Sequence, residues 1–288
     1  GLSRPIESRP PAFSLSTREA SVSGEIVYVP SKYAGGTGSL FDLPAAAETG
    51  GGADPVAGKI VLTEGFSMPG PVHAFEARGA VAQIYVHPGP RIHEGICTTI
   101  WGAPTSDSIG RKPRTPVVCI ARPEGERLAA GAATGTQATI RTWLREGWMR
   151  CLLPSVEITG REDPDEFLLV HGHYDSWYEG IGDNATGNAA LLELARVLHG
   201  LAPRLKRTVR LAWWPGHSTG RYAGTTWYAD AFADDIDERC IAHLNIDSPG
   251  CAGASAYEEV MWMTEAADLC RRAVADAVGA PAHGMRSL

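Results

Sequence analysis

From about Pro154 onward the chain alternates between two periodicities, and that alternation constrains its fold more than any other feature. "EFLLVHGH" (166–173), "RTVRLAWWPG" (207–216) and "CIAHLNIDSPG" (240–250) read as strands, short and apolar with turn residues beyond them. "TGNAALLELARVLHG" (186–200), "AGTTWYADAFA" (223–233) and "EAADLCRRAVADAV" (265–278) have helical spacing. A β-α-β-α-β-α order predicts a mainly parallel, helix-covered sheet, because each parallel pair needs a crossover. In such sheets the site lies beyond the carboxyl ends of the strands. Three polar clusters, at 171–183, 214–217 and 243–247, fall at those ends.

The preceding half is β-rich. Strands are expected at 24–29, 59–65, 82–87, 115–120 and 138–147, with a helix over 70–80 crossing between two of them. A Gly- and Ala-rich loop occupies 36–58. The expected organisation is therefore an α/β chain of two domains, residues 1–153 with an N-terminal extension and residues 154–288. At 288 residues each part can build its own core.

Composition removes several function classes. A net charge of −7 with no basic run speaks against a nucleic-acid surface. No apolar run approaches the roughly 20 residues of a membrane span. Six cysteines without a CxxC pair read as a reduced, buried set. The first residues lack the apolar core of a signal peptide. Cytoplasm is the expected location, with secretion the alternative. Nothing fits a GxGxxG loop after a strand or a GxSxG nucleophile elbow.

In a strand, residues two apart share a face. His171, His173 and Asp175 thus form one polar set, and His243, Asn245 and Asp247 repeat it. Imidazole and carboxylate together are the ligand set of Zn²⁺ and its neighbours. Asp183 stands just before the helix at 186–200, whose positive end suits its charge. Each residue alone reads as well as a solvated carboxylate or a hydrogen-bonded histidine; their meeting at three strand ends is what points to metal. Trp177, Tyr178, Trp213 and Trp214 are read as core packing, with a substrate wall as the alternative.

"HGHYDSW…GDNATGNAALLELAR", then a strand, "GRYAGTTWYA" and "NIDSPG", resembles the M28 family of zinc peptidases, which includes aminopeptidases and glutamate-carboxypeptidase-like enzymes. "GKIVLTEG…AFEARGAVAQIYVHPG" resembles the protease-associated (PA) domain that often accompanies them. The resemblance implies a phosphorylase/hydrolase-like sheet and a site of two divalent metals, zinc or another. In it His173 binds one metal, Asp183 bridges two and Asp247 completes the first. Asp175 orients His173 through its other ring nitrogen. Paired metals of this kind make water nucleophilic near neutral pH and polarise the scissile carbonyl.

Two departures from the family pattern carry consequences. Where the family has a Glu-Glu pair, general base then ligand, this chain reads "WWPGHSTG". Gly216 stands at the base and His217 at the ligand of the second metal, so His173, Asp183, His217 and Asp247 are the expected ligands. Glu179 is a candidate replacement base, though a solvated loop residue reads as well. The second departure is the family's later histidine ligand. His283 follows Asp247 too soon for that role, so the sequence reads as a piece of a longer chain or as one part of a split enzyme; a second subunit is expected to complete the hydrolase domain and supply the ligand, making a hetero-oligomer. The leading expectation is metal-dependent hydrolysis of a peptide or small non-peptide amide. The alternatives are an inactive homologue kept as a binding or receptor-like module, and a mononuclear metal hydrolase.

Overall fold

The structure is a computed structural model that describes residues 4–31, 54–250, 252–253, 261–279 and 286–287. Most of the expected loop 36–58, Cys251 and His283 lie outside the described residues. The chain divides into two units, 1–247 and 248–288.

The first unit holds two sheets. One contains Val22–Tyr28 (β1), Ile60–Glu64 (β2), Ala82–Val86 (β3), Val117–Ile120 (β4) and Gln137–Ile140 (β5), in the order β4-β3-β2-β1-β5. The first four are parallel to their neighbours, and β5 runs antiparallel to β1. The expected crossover helix is Pro69–Ala77 (α1), which buries Pro71, Val72 and Phe75. Every residue of β3 and β4 is buried, as expected of parallel strands covered on both faces.

Two expectations for this half are corrected. Residues 138–147 were expected to be one strand, but β5 stops at Ile140 because its partner β1 begins at Val22, opposite it. Beyond it Trp143, Trp148, Met149 and Leu152 are exposed. A helix at Arg122–Ala132 (α2) was not expected from "RPEGERLAAGA". It buries Gly125 and Leu128, and Pro123, Gly125 and Gly131 within it read as breakers in sequence. A Cβ on Gly125 would come within 2.2 Å of Val86 Cγ1, so glycine there lets the helix sit close on the sheet.

The second sheet contains Ser155–Ile158 (β6), Asp163–His173 (β7), Arg207–Trp214 (β8) and Cys240–Asn245 (β9), in the order β6-β8-β7-β9. β7 is parallel to both β8 and β9, and β6 is antiparallel to β8. Thr186–Gly200 (α3) crosses from β7 to β8. Ala223–Ala231 (α4) and Ala233–Arg239 (α5) cross from β8 to β9. Side chains alternate between two cores. Val170, Leu191, Val209 and Leu211 pack with α3 residues Leu194 and Leu198. Phe167, Leu169, Ala212 and Trp214 pack with Tyr228 of α4. This is the expected α/β architecture. β9, at one edge, leaves Ile241 and Leu244 about half exposed (50% and 56%).

In the second unit Ala267–Val278 forms α6, within the expected helix. Met261–Trp262 (β10) pairs parallel with Arg286–Ser287 (β11). The five described cysteines are free. Cys97 and Cys119 are buried, whereas Cys151 is exposed in the irregular stretch after β5, against the expectation of a uniformly buried set.

Candidate metal centre

The three polar clusters do sit at strand ends: β7 closes at His173, β8 at Trp214 and β9 at Asn245. Where β7 stops, the Tyr174 N–H still donates to the Trp214 carbonyl at 2.9 Å, and the chain then turns away. His173 is 2% exposed. Its Nε2 faces two carboxylates, Asp183 Oδ1 at 2.9 Å and Asp247 Oδ1 at 3.3 Å. Its Nδ1 lies 2.9 Å from the Asp175 carbonyl oxygen. A proton on Nδ1 donated to that carbonyl leaves the Nε2 lone pair facing the carboxylates.

Asp175 therefore meets His173 through its main chain, with its carboxylate 3.8 Å from Nδ1. That carboxylate instead accepts from the N–H groups of His217 and Ser218, at 2.8 and 2.9 Å. One residue thus holds both histidines in place. The His217 ring stacks on His173, with centroids 4.0 Å apart and planes 12° from parallel. Its other side meets the Tyr222 ring edge-on at 4.5 Å. Ligand atoms of His173, His217 and Asp247 all lie within 4.8 Å of one another.

The electrostatics fit a cation at this place. Burial, the largest influence, would lower the His173 pKa. Hydrogen bonds to Asp183 and Asp247 together with their charges outweigh it, and push the pKa up to about 10. A proton on Nε2 would thus be clamped between two carboxylates, the position a divalent ion would take with the same donors. His217 is shifted the other way, lowered by burial and by the neighbouring His173 charge, while Asp247, Asp175 and Asp183 oppose this. Neutral imidazole is the form that ligates metal. Two imidazoles with one or two carboxylates suit zinc and similar ions.

The turn that carries Asp183 is held by its neighbour. Buried Asn184 donates from Nδ2 to the carbonyls of His173 (3.2 Å) and Ile246 (3.0 Å), tying the end of β7 to the residue before Asp247. Gly187 makes room for it, since a Cβ there would lie 2.0 Å from Asn184 Oδ1. Gly216 has φ +65°, a conformation glycine adopts freely, and it brings no acid or base to the site.

Other expected residues fall elsewhere. His171 is turned to Trp214, accepting its indole N–H at 2.9 Å, and its Nε2 lies 3.2 Å from His243 Nδ1. Burial, then the His243 charge, pushes its pKa down to about 4. Glu179 is exposed and stands outside the group of converging ligand atoms. Trp214 is core, as expected, and Trp177 packs on His93 with centroids 5.1 Å apart. The Tyr178 hydroxyl donates to the Ile92 carbonyl at 2.6 Å. Trp101 stacks on Tyr222 at 4.7 Å. Residues 92–102 of the first half thus lie against the loops of the site. Sequence reasoning missed them, as it missed Asn184 and Tyr222, because contacts so distant in sequence leave no local pattern.

With this geometry in view, likeness to known proteins becomes specific. Residues 155–285 match peptidase family M28. A maize (Zea mays) protein named probable glutamate carboxypeptidase VP8 is 36% identical over 95 residues, 31% of this chain and 13% of its own length. In fold, the chain aligns over 100% of its length with a peptidase M28 precursor from Shewanella amazonensis (TM-score 0.65, 19% identity), covering 64% of that chain. It aligns over 99% with a zinc aminopeptidase from Bacillus subtilis (TM-score 0.62, 19% identity), again covering 64% of it. The alignments span well under a fifth of the maize protein and just under two thirds of the solved chains. The match to peptidase family M28 thus falls on the part of the chain that carries His173, His217 and Asp247.

Proposed function

We propose that this chain is the metal-binding part of a hydrolase that cleaves an amide bond, in a peptide or a small non-peptide amide. The mutual approach of His173, His217 and Asp247 within 4.8 Å, with Asp183 on the same His173 nitrogen, carries this reading. The names of its likenesses, a zinc aminopeptidase and a probable glutamate carboxypeptidase, support the same chemistry.

On this reading His173, His217, Asp183 and Asp247 would hold the metal. When bound, the metal supplies Lewis-acid chemistry, polarising the amide carbonyl and making water nucleophilic near neutral pH. The chain's own residues do the rest. Asp175 fixes the His173 tautomer through its carbonyl and the His217 main chain through its carboxylate. Because Gly216 stands where the family places its base, proton transfer is assigned to Glu179. The five-stranded half is read as a PA-like domain, residues 1–153. β9 is read as the edge where a second subunit continues the sheet and adds a further histidine ligand.

Gly216 also favours a second reading, an inactive homologue retained for binding. A third, a mononuclear enzyme, fits the three ligands that share one centre. The metal content of the native protein separates them. Two zinc ions per chain, measured by inductively coupled plasma mass spectrometry, are expected. One would support the mononuclear enzyme, and none under replete conditions the binding module. His217→Ala should lower occupancy to about one ion, and unchanged occupancy would remove His217 from the ligand set.

A further inference from the structure

The loop between β8 and α4 holds two buried side-chain atoms that have no hydrogen-bond partner, Ser218 Oγ and Arg221 Nε. Arg221 is 5% exposed. Burial lowers its pKa, and the groups that oppose this are Tyr222 and Cys97, with no carboxylate among them. A buried guanidinium without an anion is costly, and a buried unsatisfied donor in a native fold calls for a partner.

Its surroundings are aromatic and fixed. The guanidinium carbon lies 4.7 Å from the Trp101 ring centre and 5.3 Å from that of Tyr222, and the two rings stack on each other 13° from parallel. Arg221 and Tyr222 both have positive φ, 53° and 65°, a conformation that side-chain-bearing residues adopt at a cost. The Gly102 N–H donates to the Arg221 carbonyl and pins this turn to the first half of the chain. Tyr222 then touches His217. The guanidinium therefore stands one aromatic ring from a proposed metal ligand, at the amino end of the nine-residue helix α4, which also favours negative charge.

We infer that Arg221 determines specificity by receiving a carboxylate of the substrate while the scissile amide lies at the His173–His217–Asp247 centre. The assignment rests on the amide-hydrolase reading and narrows its substrate class to amides that carry a carboxylate near the cleaved bond, such as short peptides or N-acyl amino acids. A planar fork of N–H donors matches a carboxylate in a way a neutral amide group does not. Stacking on Trp101 and Tyr222 holds that fork ready.

The test uses two probes that differ only in this group, Ala-Ala and Ala-Ala-amide, on the native protein with whatever subunit accompanies it. Binding is read by calorimetry after metal removal, and selectivity by the ratio of kcat/KM after metal is restored. Wild type should bind Ala-Ala roughly tenfold or more tighter than the amide, the scale of one hydrogen bond to a charged group. Arg221→Met, which keeps an apolar stem against Trp101, should bring the two within about twofold. Arg221→Lys, which keeps charge without the fork, should retain only part of the preference and serves as the readout if the Met variant does not fold. Equal binding by wild type, or a preference that survives in the folded variant, overturns the assignment. A binding preference without turnover of either probe upholds the carboxylate site while defeating the hydrolase reading.

Discussion

At the scale of single residues, adjacency in sequence made part of the site readable. His173 and Asp183 belong to one short stretch, and Asp247 lies just beyond a strand of the same alternating pattern, so strand-end logic finds all three. What that logic could not show is which atom of a residue does the work. Asp175 was expected to orient His173 through its other ring nitrogen, with the atom left open. Its carbonyl lies nearer, because the carboxylate is already committed to the N–H groups of His217 and Ser218. Arg221 was invisible for a different reason. Its meaning depends on Trp101, 120 positions earlier and brought in by the fold. Glu179 is the residue whose role is most sharply open to trial. If it is the proton-transfer residue proposed above, Glu179→Gln should lower kcat by roughly 10²–10⁴-fold. Metal content should stay as in wild type. A kcat within twofold of wild type would return Glu179 to the solvated loop.

At the scale of elements, the alternation of strand and helix was legible because each strand is a short apolar run and the segments between them carry helical spacing. α2 escaped that reading because Pro123, Gly125 and Gly131 read as breakers, and β5 because strand length is set by its partner. The turn between β7 and α3 is where element geometry becomes site geometry. Asn184 makes two hydrogen bonds that join the end of β7 to the end of β9. Asp183 precedes it directly, and Asp247 follows its second acceptor. Asn184→Ala leaves two carbonyls without this donor in a buried place, at a cost of about 1–3 kcal/mol. Chemical denaturation should show that loss. Metal affinity should fall with it, since both aspartates lose their anchor. Wild-type stability and wild-type affinity together would show that the strand ends hold their spacing without this bridge.

At the scale of the whole molecule, the feature in need of explanation is the margin of the second sheet. β9 has β7 on one side and no strand hydrogen-bonded on its other side among the described residues. Its Ile241, at the irregularity in the pairing with β7, and Leu244 are both about half exposed. α3, which packs on the same core as Ile246, leaves Leu192 and Val197 exposed as well. An apolar edge of this kind invites pairing, and neighbouring exposed apolar residues invite cover. A strand laid along β9 would pair this edge, and its end would emerge beside Asp247, where the proposed centre can use a further ligand. The association should then depend on apolar burial along this edge. Charged residues placed along this edge, Ile241→Lys with Leu244→Lys, would have to be desolvated for the strand to pair. Native mass spectrometry should find wild type with a second subunit, and the double variant without it. The variant should also lose metal, since the ligand leaves with the subunit. A wild-type protein that runs as a single chain yet holds its full metal complement would show that this edge needs no partner.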